Sequence, residues 1–153
     1  MADELYDIGV LAVSRSVKDL DDAGVRINAG SHGELPGLAM HWEMALLAAG
    51  GMSPHRVLRA ATLNMAESLG VGHQIGSLEP GKLADLIVLC DNPLDDIANT
   101  ETVELTMVNG RLYDAYTLDE VVPTARERTR FYWELQDTHG IDWSEAWGGG
   151  CCS

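Results

Sequence analysis

The chain is short of positive charge. Ten Lys and Arg stand against 24 Asp and Glu in 153 residues, a net charge of −14. Such a surface repels phosphate backbones and anionic headgroups, which excludes nucleic acid as a partner and an electrostatic membrane anchor. Long apolar runs are missing as well. None approaches the roughly 20 residues of a membrane span. The start, MADELYDIGV, lacks the basic end and apolar centre of a signal peptide, so the default compartment is cytoplasmic. Three cysteines make no disulfide framework. Cys90 closes an apolar run as a small hydrophobe. Cys151 and Cys152 follow a glycine run at the end of the chain and, as two ligands, close no metal site. The sequence has five histidines, no His-x-His and no internal repeat.

What is present reads as α/β in its first half and antiparallel β later. Val10, Val13, Val17 and Leu20 recur at helical spacing, predicting a helix over 8–22 that stops at Gly24. Residues 25–30 read as a strand after almost no loop. Further helices are predicted over 37–49, from Ser53-Pro54 onward, and over 64–69 with a stop at Gly70. Glu79-Pro80-Gly81 has the centre of a type II turn. LADLIVLC is a strand, Asn92-Pro93 a turn, and Leu94 to Ile97 one helical turn. VELTMVNGRLYDA is a hairpin on a type I′ Asn109-Gly110 turn. Thr117 to Glu120 fits a capping box, and a last helix is expected over about 124–137.

The stretch VRINAGSHGELPGLAMHWEM, residues 25–44, concentrates the chemistry. Alternation along 25–32 puts Val25, Ile27 and Ala29 on one face, and Arg26, Asn28, Gly30 and His32 on the other. A polar face ending in a glycine-fenced histidine suits the C-terminal end of a barrel strand, where active sites lie. The helix that follows is apolar on nearly every side, interrupted only by His41 and Glu43, and such a helix is expected to be buried all round. Two residues apart, His41 and Glu43 do not share a helix face. They are candidates for orienting His32 or a substrate amine, or else for satisfying each other. Asp85 reads as structural, and Thr62 and Asn64 as helix-end groups.

The run from GSHGELPGLAMHWEMALLAAGGMSPHRVLRAATLNMAESLG through GSLEPGKLADLIVL to NGRLYDA resembles the C-terminal end of metal-dependent amidohydrolases. GSHGE places it nearest the branch that follows a TolB-like β-propeller. The resemblance implies a (β/α)8 barrel flanked by a small β-sandwich. Residues 25–32 would be the eighth barrel strand and 76–115 the C-terminal share of the sandwich. It implies a divalent metal, zinc, that activates water to hydrolyse an amide or cyclic amide of a small molecule. His32 stands where most of the family has a catalytic or metal-binding aspartate. Imidazole can ligate zinc or act as a base, but it brings no negative charge.

Such a barrel needs about 250 residues. The expectation is therefore a C-terminal fragment: residues 1–72 from the barrel end, 73–118 from the sandwich, and 119–153 a helix and flexible tail. The isolated chain would lack a complete active site. Its apolar helix, without neighbours, would drive homo-oligomerisation. The alternative is a non-catalytic oligomerising module of the same descent. A metal site shared by His32, His41 and Glu43 of two chains is disfavoured, since 41 and 43 point apart. The barrel reading requires residues 25–32 in a parallel strand and 83–113 in antiparallel pairing.

Overall fold

The computed structural model of the chain describes residues 2–31, 35–131 and 134. Contacts divide it into a helical unit, Met1–Ala84 with Asp91–Glu101, and a sheet unit, Asp85–Cys90 with Thr102–Ser153. The fold is mixed α/β with one small antiparallel sheet.

In the helical unit α1 spans Ala2–Asp22. It ends as its sequence predicts: Gly24 turns left-handed (φ 86°), its N–H donates to Asp21 O, and Val25 N–H reaches back to Leu20 O. That pair of bonds satisfies the last carbonyls of the helix. Helix α2 spans Leu38–Ala49 and α3 spans Pro54–Ala61. Ser53 caps α3 by accepting the Arg56 N–H, with Pro54 in the first turn. Helix α4, Leu63–Ser68, gives way to Gly70 at φ 78°. Met44 and Leu47 of α2, Val57 of α3, Met52, Ala29 and Ile97 form one buried cluster. Helix α1 meets the end of α2 at Gly50, where a Cβ would lie 2.4 Å from the Ser14 carbonyl oxygen. Only glycine lets the two backbones come this close.

Two expectations fail in this unit. Residues 25–31 form no strand. A strand exists through its ladder, and here the polar backbone is satisfied by helices instead. Ala29 N–H donates to Ala60 O (3.1 Å), and the Asn64 amide donates to Ile27 O (2.9 Å). The alternation survives without the ladder: Ala29 is buried and Ile27 half-buried, while Arg26, Asn28 and Gly30 are exposed. Val25, expected inside, is exposed. Nor is α2 buried all round. Leu38, Trp42, Leu46 and Ala49 form an exposed stripe, because nothing among the described residues covers that side.

The sheet unit meets the second requirement of the barrel reading. Strands β1 (Leu86–Leu89), β2 (Val103–Val108), β3 (Arg111–Asp114) and β4 (Glu120–Val122) pair antiparallel in sequence order. Asn109 (φ 50°) and Gly110 (φ 76°) make the type I′ turn. Asp85 is structural, its carboxylate accepting the Asn109 N–H. The short helix expected over Leu94 to Ile97 lies later, as a 3₁₀ turn over Ile97–Glu101 that folds with the helical unit. The Asn92 and Asp96 side chains accept from Leu94 and Ala98 N–H and fix where it begins.

The capping box at Thr117 to Glu120 is a misreading. Thr117 Oγ1 accepts the Asp119 N–H, Leu118 is left-handed (φ 60°), and Glu120 enters β4. Glu120 is 6% exposed. Arg111 donates to both of its carboxylate oxygens and Arg126 to one. Paired that way, Glu120 has no reason to cap a helix. Residues 124–131 are not helical, since Arg126 exchanges two backbone bonds of 2.9 Å with Glu120. The rest of the expected helix, save Glu134, lies outside the described residues.

Gly50→Ala should lower stability by about 1–3 kcal/mol, because the added methyl overpacks the α1–α2 crossing. Urea unfolding followed by circular dichroism checks this, and an unchanged midpoint would mean that the crossing is looser. The Arg111 hydrogen bonds hold the Glu120 carboxyl below its ordinary 4.5, with Arg126 adding to the effect. A depressed folded pKa gives stability that is present above the ordinary value and lost as pH falls through the folded one. Glu120→Gln should therefore be less stable at neutral pH and lose less stability between pH 5 and 3 than the parent. A pH series of unfolding midpoints decides it.

Candidate functional site

The site expected from the sequence is the end of the extended stretch together with the two polar side chains of α2. His32 lies outside the described residues, as do Gly33 and Glu34. Its approach is nevertheless well determined. The Glu43 carboxylate accepts the Gly30 N–H at 3.1 Å, two residues before His32. Asn28 and Ser68 exchange hydrogen bonds of 3.0 and 3.2 Å, and Arg26 pairs with Glu67 at 3.2 Å. A Cβ on Gly30 would sit 3.6 Å from the Met65 methyl, an ordinary contact. Gly30 is therefore not required here for space.

His41 points elsewhere. Its Nδ1 lies 3.0 Å from Thr100 Oγ1, and that hydroxyl donates to Ile97 O at 2.8 Å. A threonine hydroxyl has one hydrogen. With that hydrogen on Ile97, the imidazole must be the donor, so Nδ1 carries a proton. Thr100 is 2% exposed, so the bond is sheltered from water. His41 and Glu43 thus neither satisfy each other nor share a target. Glu43 holds the stretch that leads to His32, and His41 holds the 3₁₀ turn.

The sequence reading missed Thr100, Ser68 and part of the role of Asn64. Asn64 accepts from Arg59 and donates to Ile27 O, so it ties the stretch to α4 rather than only ending a helix. Asn64 and Ser68 are four apart on α4, and that spacing is the signal that could have paired them with a strand. Thr62 does bond within its own helix, donating to Leu58 O. Of the other histidines, His55 is exposed, His73 lies beside the Gln74 amide, and His139 is outside the described residues.

Among the described residues no three His, Cys, Asp or Glu come together as metal ligands. These residues alone do not fit a metal. The sheet unit has a cavity of about 850 Å³ lined by Tyr113, Leu118, Glu120, Arg126, Arg128 and Phe131, among others. Its cations are already paired, Arg126 with Glu120 and Arg128 with Glu134. Glu134 is drawn down to about 2, first by Arg128 and then by the Phe131 N–H. The cavity is a charge-balanced packing space rather than a reactive centre. Among the described residues no helix is long and apolar enough to cross a membrane.

A family model described as "Amidohydrolase family" matches residues 12–113. The imidazolonepropionase of Geobacillus kaustophilus is 35% identical over 83 residues, covering 52% of this chain and 20% of that protein. The 5-methylthioadenosine/S-adenosylhomocysteine deaminase of Teredinibacter turnerae is 27% identical over 143 residues, covering 84% of this chain and 32% of its own length. A prolidase solved with N-methylphosphonate-L-proline superposes with a TM-score of 0.54 at 30% identity, over 66% of this chain and 26% of that one. The chain therefore spans about a fifth to a third of the length of these three proteins. The model match runs unbroken from α1 through the extended stretch to β3, and the chain belongs to the amidohydrolase family.

Proposed function

We propose that this chain is the C-terminal region of an amidohydrolase that hydrolyses a C–N bond, in an amide or cyclic amide of a small molecule. The observation that carries the reading is the family match over residues 12–113, beside coverage of at most about a third of the length of the relatives compared. In this proposal residues 1–72 close a barrel, with 25–32 in the place of its eighth strand. Residues 73–118 belong to the flanking sandwich, and 119–153 follow it. Residues 25–31 form no ladder, so the requirement of a parallel strand there is not met, and the barrel placement rests on the family match alone. GSHGE supports placing the protein near the propeller-linked branch.

Family members generally use a divalent metal, and we assign zinc. When bound, such an ion lowers the pKa of its water towards about 7 and supplies hydroxide at neutral pH. The described residues do not assemble its ligands, so we place them outside, with His32 the candidate in this chain. Glu43 then acts through the backbone. It accepts the Gly30 N–H, two residues before His32 in the sequence. His41 is withdrawn from the substrate side by its bond to Thr100.

A second reading, a non-catalytic associating module, is favoured by the exposed apolar stripe of α2. The two readings separate by experiment. Elemental mass spectrometry on the untagged chain should find far less than one zinc per chain, and an amide panel should show no turnover. Near-stoichiometric zinc that disappears in His32→Ala would overturn the incomplete-site part of the proposal. Turnover lost in the same variant would sink the non-catalytic reading.

A further inference from the structure

Residues 123–131 leave β4 and run back along the sheet unit without joining its ladder, apart from the paired backbone bonds of Arg126 with Glu120. None of them is buried: Arg128 and Phe131 are half-buried and the others exposed. The segment lies against one face of the sheet. The register sets Ile87, Thr106, Tyr113 and Glu120 in one row across the four strands, and directly opposed residues share a face. The cavity of about 850 Å³ has Thr106, Tyr113 and Glu120 of that row on one wall and Arg126, Arg128 and Phe131 on the other. What holds the segment there is polar. The N–H groups of Glu120 and Arg126 each donate to the other's carbonyl at 2.9 Å, and Arg128 N–H donates to Asp119 Oδ1 at 2.9 Å. The Arg128 side chain joins three places. Its Nε donates to Thr117 O at 2.9 Å, its Nη1 donates to Glu134 Oε2 at 2.7 Å, and its guanidinium lies 4.5 Å from the centre of the Phe131 ring.

We propose that residues 123–131 are a strap, which opens and closes over the Thr106, Tyr113 and Glu120 row as one unit while the four-stranded sheet stays formed. A segment opens on its own when few buried apolar side chains hold it and its hydrogen bonds lie near solvent. The strap meets both conditions. The frame beneath it is held differently, since β2 is paired along both edges, to β1 and to β3. Two bonds report on that frame and involve no strap residue: Ala115 N–H donates to Glu104 O at 3.0 Å, and Cys90 N–H donates to Thr102 O at 2.8 Å. Arg128 makes the opening cooperative. One side chain grips the turn before β4, the Glu134 carboxylate beyond the strap and the Phe131 ring, so its release frees the whole length at once. Opening bares Thr106 and Tyr113.

The inference goes beyond the hydrolase reading and stands without it, since it concerns the sheet unit alone. Amide hydrogen exchange, read by NMR on the isotope-labelled 153-residue chain, tests it. The N–H groups of Glu120, Arg126 and Arg128 should share one protection factor, lower than those of Cys90 and Ala115. Arg128→Ala should speed exchange at Glu120 and Arg126 together by at least about tenfold, the effect of losing one hydrogen bond to a charged group. Arg128→Lys keeps the charge and loses the planar fork, so it should fall between the parent and Arg128→Ala. Slow exchange at Cys90 and Ala115 in both variants should show that the sheet is still folded. Protection of Glu120 and Arg126 equal to that of Ala115 in the parent would overturn the proposal, because the segment would then be part of the sheet. Acceleration at only one of Glu120 and Arg126 would overturn it too, since the segment would not move as a unit. So would an equal acceleration at Cys90 and Ala115 in Arg128→Ala, because strap and sheet would then open together.

Discussion

A backbone amide removed from water must find a partner, and in the helical unit that constraint falls hardest on residues 27–30. These residues bury Ala29 in the core and have no neighbouring strand among the described residues. Their bonds come from three directions: the Ala60 carbonyl at the end of α3, the Asn64 amide on α4 and the Glu43 carboxylate on α2. Leaving one such group unmet costs about 1–3 kcal/mol. The need explains a carboxylate in an otherwise apolar helix. Glu43 is half-buried and would be unfavourable there unless it accepted a hydrogen bond. Gly30 N–H supplies it.

The second polar residue of α2 answers a similar constraint on the other side. Ile97 belongs to the core, so the chain must bring residues 91–101 back to the helices between β1 and β2. The 3₁₀ turn that delivers Ile97 also buries the Thr100 hydroxyl. That hydroxyl is satisfied twice, as donor to Ile97 O and as acceptor from His41. The imidazole fits this role because its Nδ1–H can donate to the hydroxyl oxygen. Thus the two breaks in the apolar pattern of α2 each answer a polar group from outside the helix, the exposed Gly30 N–H and the buried Thr100 hydroxyl.

What the sequence made legible follows from distance along the chain. Gly24, Ser53-Pro54, Gly70 and Asn109-Gly110 each act on residues within about a turn, and each stands where its pattern put it. The opposed directions of His41 and Glu43 were readable for the same reason, because helical spacing alone fixes them. Their targets were not. Thr100 is 59 residues from His41, and no periodicity reports such a pairing. The strand over 25–30 was misread because its alternation is genuine but, among the described residues, helices rather than strands take its backbone bonds. The pattern T-x-x-E at 117–120 imitates a helix start, and only the arrival of Arg111 and Arg126 from elsewhere decides that Glu120 belongs in a strand.

Scarcity of positive charge finally shapes the whole surface. Lys18, Arg26, Arg56, Lys82, Arg111, Arg126 and Arg128 are all engaged with carboxylates of the same chain. Most of the few cations are thus used internally, and two of them converge on the buried Glu120 carboxylate. The outward field is left to the excess acids. Such a field slows the approach of anions and does not hinder neutral molecules.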